Sequence, residues 1–376
     1  MSGCRGPEGS VRVELPGGRR AGAHLPLSLG LPRLAERAAQ IGASALQLFS
    51  DNPTAWRRRA GPPPGAATFR RRLTELDIAP VAIHAAYLVN LAGPDDELFA
   101  RSVQVMQSEL AVTTELGARY VTVHAGSHRG SGTEAGVARL VNGLERSLAD
   151  RPAAGGSPTV VLENSSGGGG NMASTIEDMA TILDAAGARG LDGRLGVCLD
   201  TAHLWGAGYD ISTAPGIDSL LRDFDERIGL SRLVMIHFND SHSALGSRHD
   251  RHAHVGEGRI GTAGMAHLLR HPALDHVTFL LETPDMEDGF DQVNMARIAD
   301  LAAGRPLTPG PETAPGRKAF GPTAPGSKGA ANPNAWTDSE SSSADGRGRW
   351  SADGRTFDGS SEAGPIESER LPAHRP

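Results

Sequence analysis

Seven side chains able to bind a metal or move a proton close a series of short apolar runs. AGAH ends on His24, VAIH on His84, YVTVH on His124, TVVLE on Glu163, LGVCLD on Asp200 and HVTFLLE on Glu282, while RLVMIHF carries His237. A single such histidine or carboxylate reads as a loop hydrogen-bonder; seven in series ask for a common cause. Glu163, Asp200, His237 and Glu282 supply three carboxylates and one imidazole, a sulfur-free donor set that suits zinc or manganese. His84 and His124 can complete a second ion. In DTAH, Asp200 and His203 are three apart, and in SRHDRH, Asp250 and His252 are two apart, so an extended chain turns that last pair to one side. Together with His203 they can chelate a third ion. Ions clustered about 3.5–4 Å apart assist both the attacking and the leaving oxygen of a phosphodiester. The chemistry indicated is phosphoryl transfer to water.

Something must bring those residues to one place. With SALQLF, ending at Phe49, the apolar runs number eight, and from His84 onward their ends are spaced by 40, 39, 37, 37 and 45 residues. The intervals hold amphipathic windows such as LPRLAERAAQIG, SVQVMQSELAVTTELG and SLLRDFDERIG. Eight strands alternating with helices predict a parallel sheet closed into a single (β/α)8 TIM barrel, in which the ends of all strands converge on one mouth.

The barrel is expected over residues 21–303, after an N-terminal extension of residues 1–20. Residues 304–376 hold 10 of the 25 prolines and only three Leu, Ile or Val, and they read as a disordered, low-complexity tail. No apolar run approaches the roughly 18 residues of a membrane span, and MSGCRGPEGS carries no signal-peptide pattern, so a cytoplasmic protein without membrane contact is expected. Cys4 and Cys198 are too few for a disulfide framework, and Cys198 reads as a buried core thiol. The formal net charge of −7 argues at first against a nucleic-acid partner. Four proposed carboxylate ligands lie within that charge, however, and three divalent ions would offset most of it.

The blocks HAAYLVNL from His84, VTVHAGSH to His128, VLEN at Glu163, GVCLDTAHLWGAGYD, HFNDSHSALGSRHDRHAHVGEGRIG and LETP at Glu282 resemble, in order, the endonuclease IV family of apurinic/apyrimidinic endonucleases. The resemblance covers about residues 21–300. It implies three zinc ions: one on His84, His124 and Glu163, one on Glu163, Asp200, His237 and Glu282, and one on His203, Asp250 and His252. Manganese is an alternative at one or more of them. It also implies a monomer acting on double-stranded DNA that contains abasic sites, cutting 5′ to the lesion to leave a 3′-hydroxyl and a 5′-deoxyribose phosphate. Glu163 would bridge two ions and Glu282 would take the proton of the attacking water. Tyr87 and Leu88 match the family's wedge into the stack, and Arg57 and Arg251 are expected DNA contacts. Three positions depart from the family pattern: Thr54 in NPTAW, where an arginine is usual; Gly168 in SSGGGG, where a glutamine is usual; and PLSLG after His24 in place of a glycine pair. The rival reading is a xylose-isomerase-like sugar isomerase or epimerase using only the Glu, Asp, His, Glu tetrad. An inactive DNA-binding protein is the third, and the full ligand set argues against both.

Overall fold

The computed structural model describes residues 12–61, 63–151, 157–285 and 289–310. Eight strands, β1 (Ala21–His24), β2 (Ala45–Phe49), β3 (Val81–His84), β4 (Tyr120–His124), β5 (Thr159–Glu163), β6 (Leu195–Asp200), β7 (Leu233–His237) and, after a two-stranded hairpin, β10 (Thr278–Leu281), close into a barrel in that order. All neighbours are parallel. The expected (β/α)8 barrel is the observed fold.

The apolar windows become the outer layer: α1 (Leu31–Gln40), α2 (Ala66–Glu75), α3 (Asp96–Leu116), α4 (Thr133–Leu148), α5 (Ile176–Gly187), α6 (Thr201–Ala207), α7 (Ala214–Arg227), α8 (Gly261–Arg270) and α9 (Phe290–Ala303). Their starts are marked in the sequence. Asp95 caps α3 by accepting from the Leu98 amide, and Thr175 and Asp178 form a reciprocal capping box on α5. Leucines such as Leu34 on α1 and Leu110 on α3 are fully buried against the sheet.

Side chains alternate across each strand, so the residue two before each strand-end ligand faces the lumen with it. Ala82 lies under His84, Val161 under Glu163, Cys198 under Asp200, Met235 under His237 and Leu280 under Glu282, and these lower residues pack together with Ala45 and Tyr120 as a second apolar cluster. Contacts across the lumen confirm the direction: Thr122 Oγ on β4 reaches Met235 Sδ on β7 at 3.6 Å. Burial pushes the Cys198 thiol up to about 12, as befits an inert core cysteine. At Gly22 a Cβ would fall 1.9 Å from the Ala45 carbonyl oxygen, so β1 can approach β2 only with glycine there.

Two features go beyond the expected barrel. A short antiparallel hairpin of β8 (Asp240–Ser241) and β9 (His252–Ala253) projects after β7. The barrel body also runs past the expected end at 303: Leu307 packs on the core, and Asp300 accepts from both the amide and the hydroxyl of Thr308 at 2.8 and 2.7 Å. Before β1, Val13, Leu15 and Arg19 are buried, so residues from 12 belong to the body as well. The remainder of the expected tail, from 311, lies outside the described residues.

Candidate metal centre

The strand ends deliver their side chains to one mouth. His84, His124 and Glu163 form one group of donors, and Glu163, Asp200, His237 and Glu282 form a second, with one donor atom from each residue within 4.8 Å of the others in its group. Asp200, His203 and His252 form a third on the same criterion. Asp250 joins it, with its carboxylate oxygens 3.2 Å from His203 Nε2 and 3.0 Å from His252 Nε2. The extended DRH segment therefore does turn Asp250 and His252 to one side. All nine sequence-expected ligands meet. Glu163 stands between groups: Oε2 is 3.4 Å from His84 Nε2, and Oε1 is 3.1 Å from His237 Nδ1.

A metal-binding histidine is usually held by a hydrogen bond at its other nitrogen. Nδ1 of His84 bonds the Ala85 carbonyl at 2.8 Å, Nδ1 of His203 the Asn164 carbonyl at 2.9 Å, and Nδ1 of His252 the Glu282 carbonyl at 2.8 Å. Each contact fixes the proton on Nδ1 and leaves Nε2 facing the cluster. His237 is reversed. Its Nε2 lies 3.1 Å from Gln47 Oε1, and Nδ1 faces Glu163 and Glu282. Asp200 accepts from Asn239 Nδ2 at 2.7 Å and, through its other oxygen, from the His203 amide at 2.9 Å.

Burial works against charge throughout this layer, and mutual pairing overrides it. The Glu163 carboxyl stays well below the usual range because His237 and His124 face it, and Asp250 does so beside His252 and His203. Against the same burial, Asp200 and Asp250 push the His203 imidazole up to about 10. The carboxylates thus hold their charge and draw protons onto the facing imidazoles, a positive charge that bound cations would supply instead. The Glu163 Oε2 atom is buried and accepts no hydrogen bond. Buried carboxylates, imidazoles with fixed free nitrogens and an unsatisfied ligand oxygen fit divalent ions.

Gln47 and Asn239 were not among the sequence-expected residues. Gln47 is fully buried, and its side chain reaches His24, His237 and Glu282. A lone amide at an inward position of ALQLF was its only signal. Asn239 bonds Asp200 and accepts the Glu282 amide at 2.8 Å. The glycines of VGEGRIG also gain a reason: a Cβ on Gly258 would fall 2.3 Å from Asp240 Oδ1, whose carboxylate gathers the amides of Ser241, Gly258 and Ile260.

The expected DNA contacts lie above this layer. Tyr87 and Leu88 are half-buried in the loop after β3, and the Tyr87 ring rests edge-on against Phe49 with centroids 5.1 Å apart. The Tyr87 amide donates to the Pro53 carbonyl, which joins this loop to NPTAW. Arg57 and Arg251 are exposed. Arg58 differs from its neighbours, since its guanidinium is tied to the fully buried Glu109.

A family model described as the xylose isomerase-like TIM barrel matches residues 35–315. Among curated proteins the chain is similar to probable endonuclease 4 of Methanoculleus marisnigri, 39% identical over 282 residues that cover 75% of this chain and 98% of that one. It is likewise similar to probable endonuclease 4 of Halothermothrix orenii, 36% identical over 279 residues, 74% of this chain and 98% of the relative. The solved structure of endonuclease IV from Thermus thermophilus is similar with a TM-score of 0.63 at 35% identity, covering 72% of this chain and 96% of that chain. A D-tagatose 3-epimerase-like protein shares the barrel at a TM-score of 0.55 and 15% identity, a likeness of fold alone, over 76% of this chain and 97% of that one. Matched at 35–39% identity over nearly the full length of the endonuclease relatives, the chain belongs to the endonuclease IV family.

Proposed function

We propose that the protein is a zinc-dependent endonuclease of DNA repair that acts as a monomer on double-stranded DNA. It hydrolyses the phosphodiester 5′ to an abasic site, leaving a 3′-hydroxyl and a 5′-deoxyribose phosphate. The observation that carries this reading is the meeting of nine donors in three overlapping groups at one barrel mouth. A sugar isomerase needs one tetrad and has no use for His203, Asp250 and His252.

Three ions fit the residues present, on His84, His124 and Glu163, on Glu163, Asp200, His237 and Glu282, and on His203, Asp250 and His252. When bound, such ions polarise phosphate oxygens and acidify water. The chain's own groups do the rest. Glu163 directs its two oxygens to different imidazoles and so can serve two ions at once. Glu282 accepts the proton of the attacking water. Its carboxylate is positioned for that by His24 at 3.3 Å, with Gln47 on the same oxygen. Against the pull of burial, His237 and His24 hold its carboxyl far below the usual range, so it stands ionised when the water arrives. Tyr87 and Leu88 fill the gap left when the abasic nucleotide leaves the stack, a movement that costs least where no base is paired. Arg57 and Arg251 pair with phosphates.

The test is nicking of a duplex that carries one tetrahydrofuran abasic mimic, against the same duplex intact. Cleavage at the mimic alone is expected, lost on dialysis against a chelator and restored by zinc. A zinc-loaded protein that leaves the mimic uncut would overturn the proposal.

A further inference from the structure

The outer helical layer carries another group of donors that the barrel mouth does not use. Asp218 lies on α7, His267 in the last turn of α8, and His271 is the residue that caps the C-terminus of α8. The two helices pack side by side, and the carboxylate meets both rings. Asp218 Oδ1 is 2.7 Å from His267 Nε2 and 3.5 Å from His271 Nε2. One donor atom from each residue lies within 4.8 Å of the others. The His271 carbonyl accepts from Arg19, two residues before β1 begins, and none of the three donors is shared with the groups at the mouth.

We infer that Asp218, His267 and His271 form a separate site for one divalent ion of the zinc, nickel or copper class, which clamps α7 to α8. Two imidazoles with a carboxylate suit those ions and not calcium or magnesium, which take oxygen donors. In a tetrahedral site with bonds of about 2.0–2.2 Å, neighbouring donors are separated by about 3.3–3.5 Å. The His271 contact with Asp218 already has that length, and the shorter His267 contact opens as a hydrogen bond gives way to two metal bonds. The three side chains are part-exposed, so an ion enters from solvent and keeps water to complete its shell.

The charge states of His271 and Asp218 also suit binding, while His267 has to shift its Nε2 proton to Nδ1. Burial lowers the His271 imidazole, which favours its neutral state, and the hydrogen bond from His267 lowers Asp218. Ligation through Nε2 moves the His271 proton to Nδ1 and gives up a long 3.3 Å contact from the Ala273 amide. Among the described residues, Arg222 on α7 and Arg19 face the cluster as cations. Arg19 is engaged by Asp275 and by the carbonyls of Pro16, Leu269, His271 and Leu274, which blunts its repulsion.

The experiment counts zinc per full-length chain after equilibration in a zinc buffer, comparing the wild type with the double variant His267→Gln/His271→Gln. The wild type should hold one ion more, and its melting temperature should keep rising with zinc after the mouth is saturated, while that of the variant stays level. Asp218→Asn, on the other helix, must lose the same ion, which guards against a local failure of α8. Nicking of the abasic duplex should persist in all variants, so this site and the mouth are judged separately. Equal ion counts, or a zinc-dependent rise in melting temperature that survives in the variants, would overturn the inference. A variant that melts lower without zinc but binds as many ions would reduce the cluster to an ion pair, and that too overturns it.

Discussion

In the ligand layer, Asp200 and His237 are fully buried, Glu163 nearly so, and four imidazoles are pinned at the nitrogen turned away from the cluster. On the rim a few residues above, Arg57 and Arg251 are exposed, and Tyr87 and Leu88 are only half-buried. All three departures from the family pattern, at Thr54, at Gly168 and in PLSLG, fall in rim loops that follow strands. The difference follows from how each region is held. A ligand's position is set by strand register, and a slip of one residue would turn it to the other face. A rim side chain can be exchanged while the loop closes, as Gly168 illustrates. Its φ of +92° suits glycine, and the backbone and side chain of Arg248 lie about 3.6 Å from where a Cβ would be.

The largest expected effect belongs to the buried layer. Glu282→Gln keeps the size of the side chain and one acceptor oxygen but cannot take a proton, and general-base help is typically worth about 10² to 10⁴ in rate. Cleavage should fall by that factor with an unchanged melting temperature; near-normal turnover would remove Glu282 from its assigned role. Gln47→Leu comes next. It leaves the Nε2 of His237 without its partner and removes the amide beside Glu282. Loss of such an outer contact costs about 10- to 100-fold in metal affinity or activity. A variant with wild-type zinc affinity and rate would show that strand register alone orients His237.

What could be read in the sequence divides along the same line. The eight strands and their terminal ligands were legible because a period of two and a polar stop recur at regular spacing, and the structure ends each strand at or beside the residue expected. Gln47 and Asn239 were not legible as parts of the site, because Gln47 meets His237 only once the barrel closes, and Asn239 meets Asp200 only through the pairing of β6 with β7. The same holds for Arg58. Within the triplet Arg57, Arg58 and Arg59 nothing local distinguishes it, and only α3, by presenting Glu109, turns it inward. The packed stretch at Leu307 and Thr308 was hidden by a composition that resembles the tail, since it is held by the core packing of Leu307 and by bonds linking Thr308 to Asp300 and Arg297.

The rim should yield smaller effects of a different kind. Tyr87→Ala removes the expected wedge, and an aromatic stacked on a base is worth about 1–3 kcal/mol, so kcat/KM on the abasic duplex should drop by roughly tenfold with zinc content unchanged. Because the ring also rests on Phe49, Tyr87→Phe is the control. It should stay near wild type if the ring fills the stack, and a fall equal to that of alanine would assign the effect to the hydroxyl instead. Smallest of all should be Arg57→Ala and Arg251→Ala, a few-fold each at low salt. Exposed arginines that contact phosphate act through counterion release, so each loss should flatten the slope of log K against log salt by about one. Turnover at saturating DNA should hold, because neither guanidinium is among the groups that meet in the ligand layer. An unaltered salt slope in both variants would move phosphate binding elsewhere on the rim, with Arg248, poised over the glycine loop, the next residue to replace.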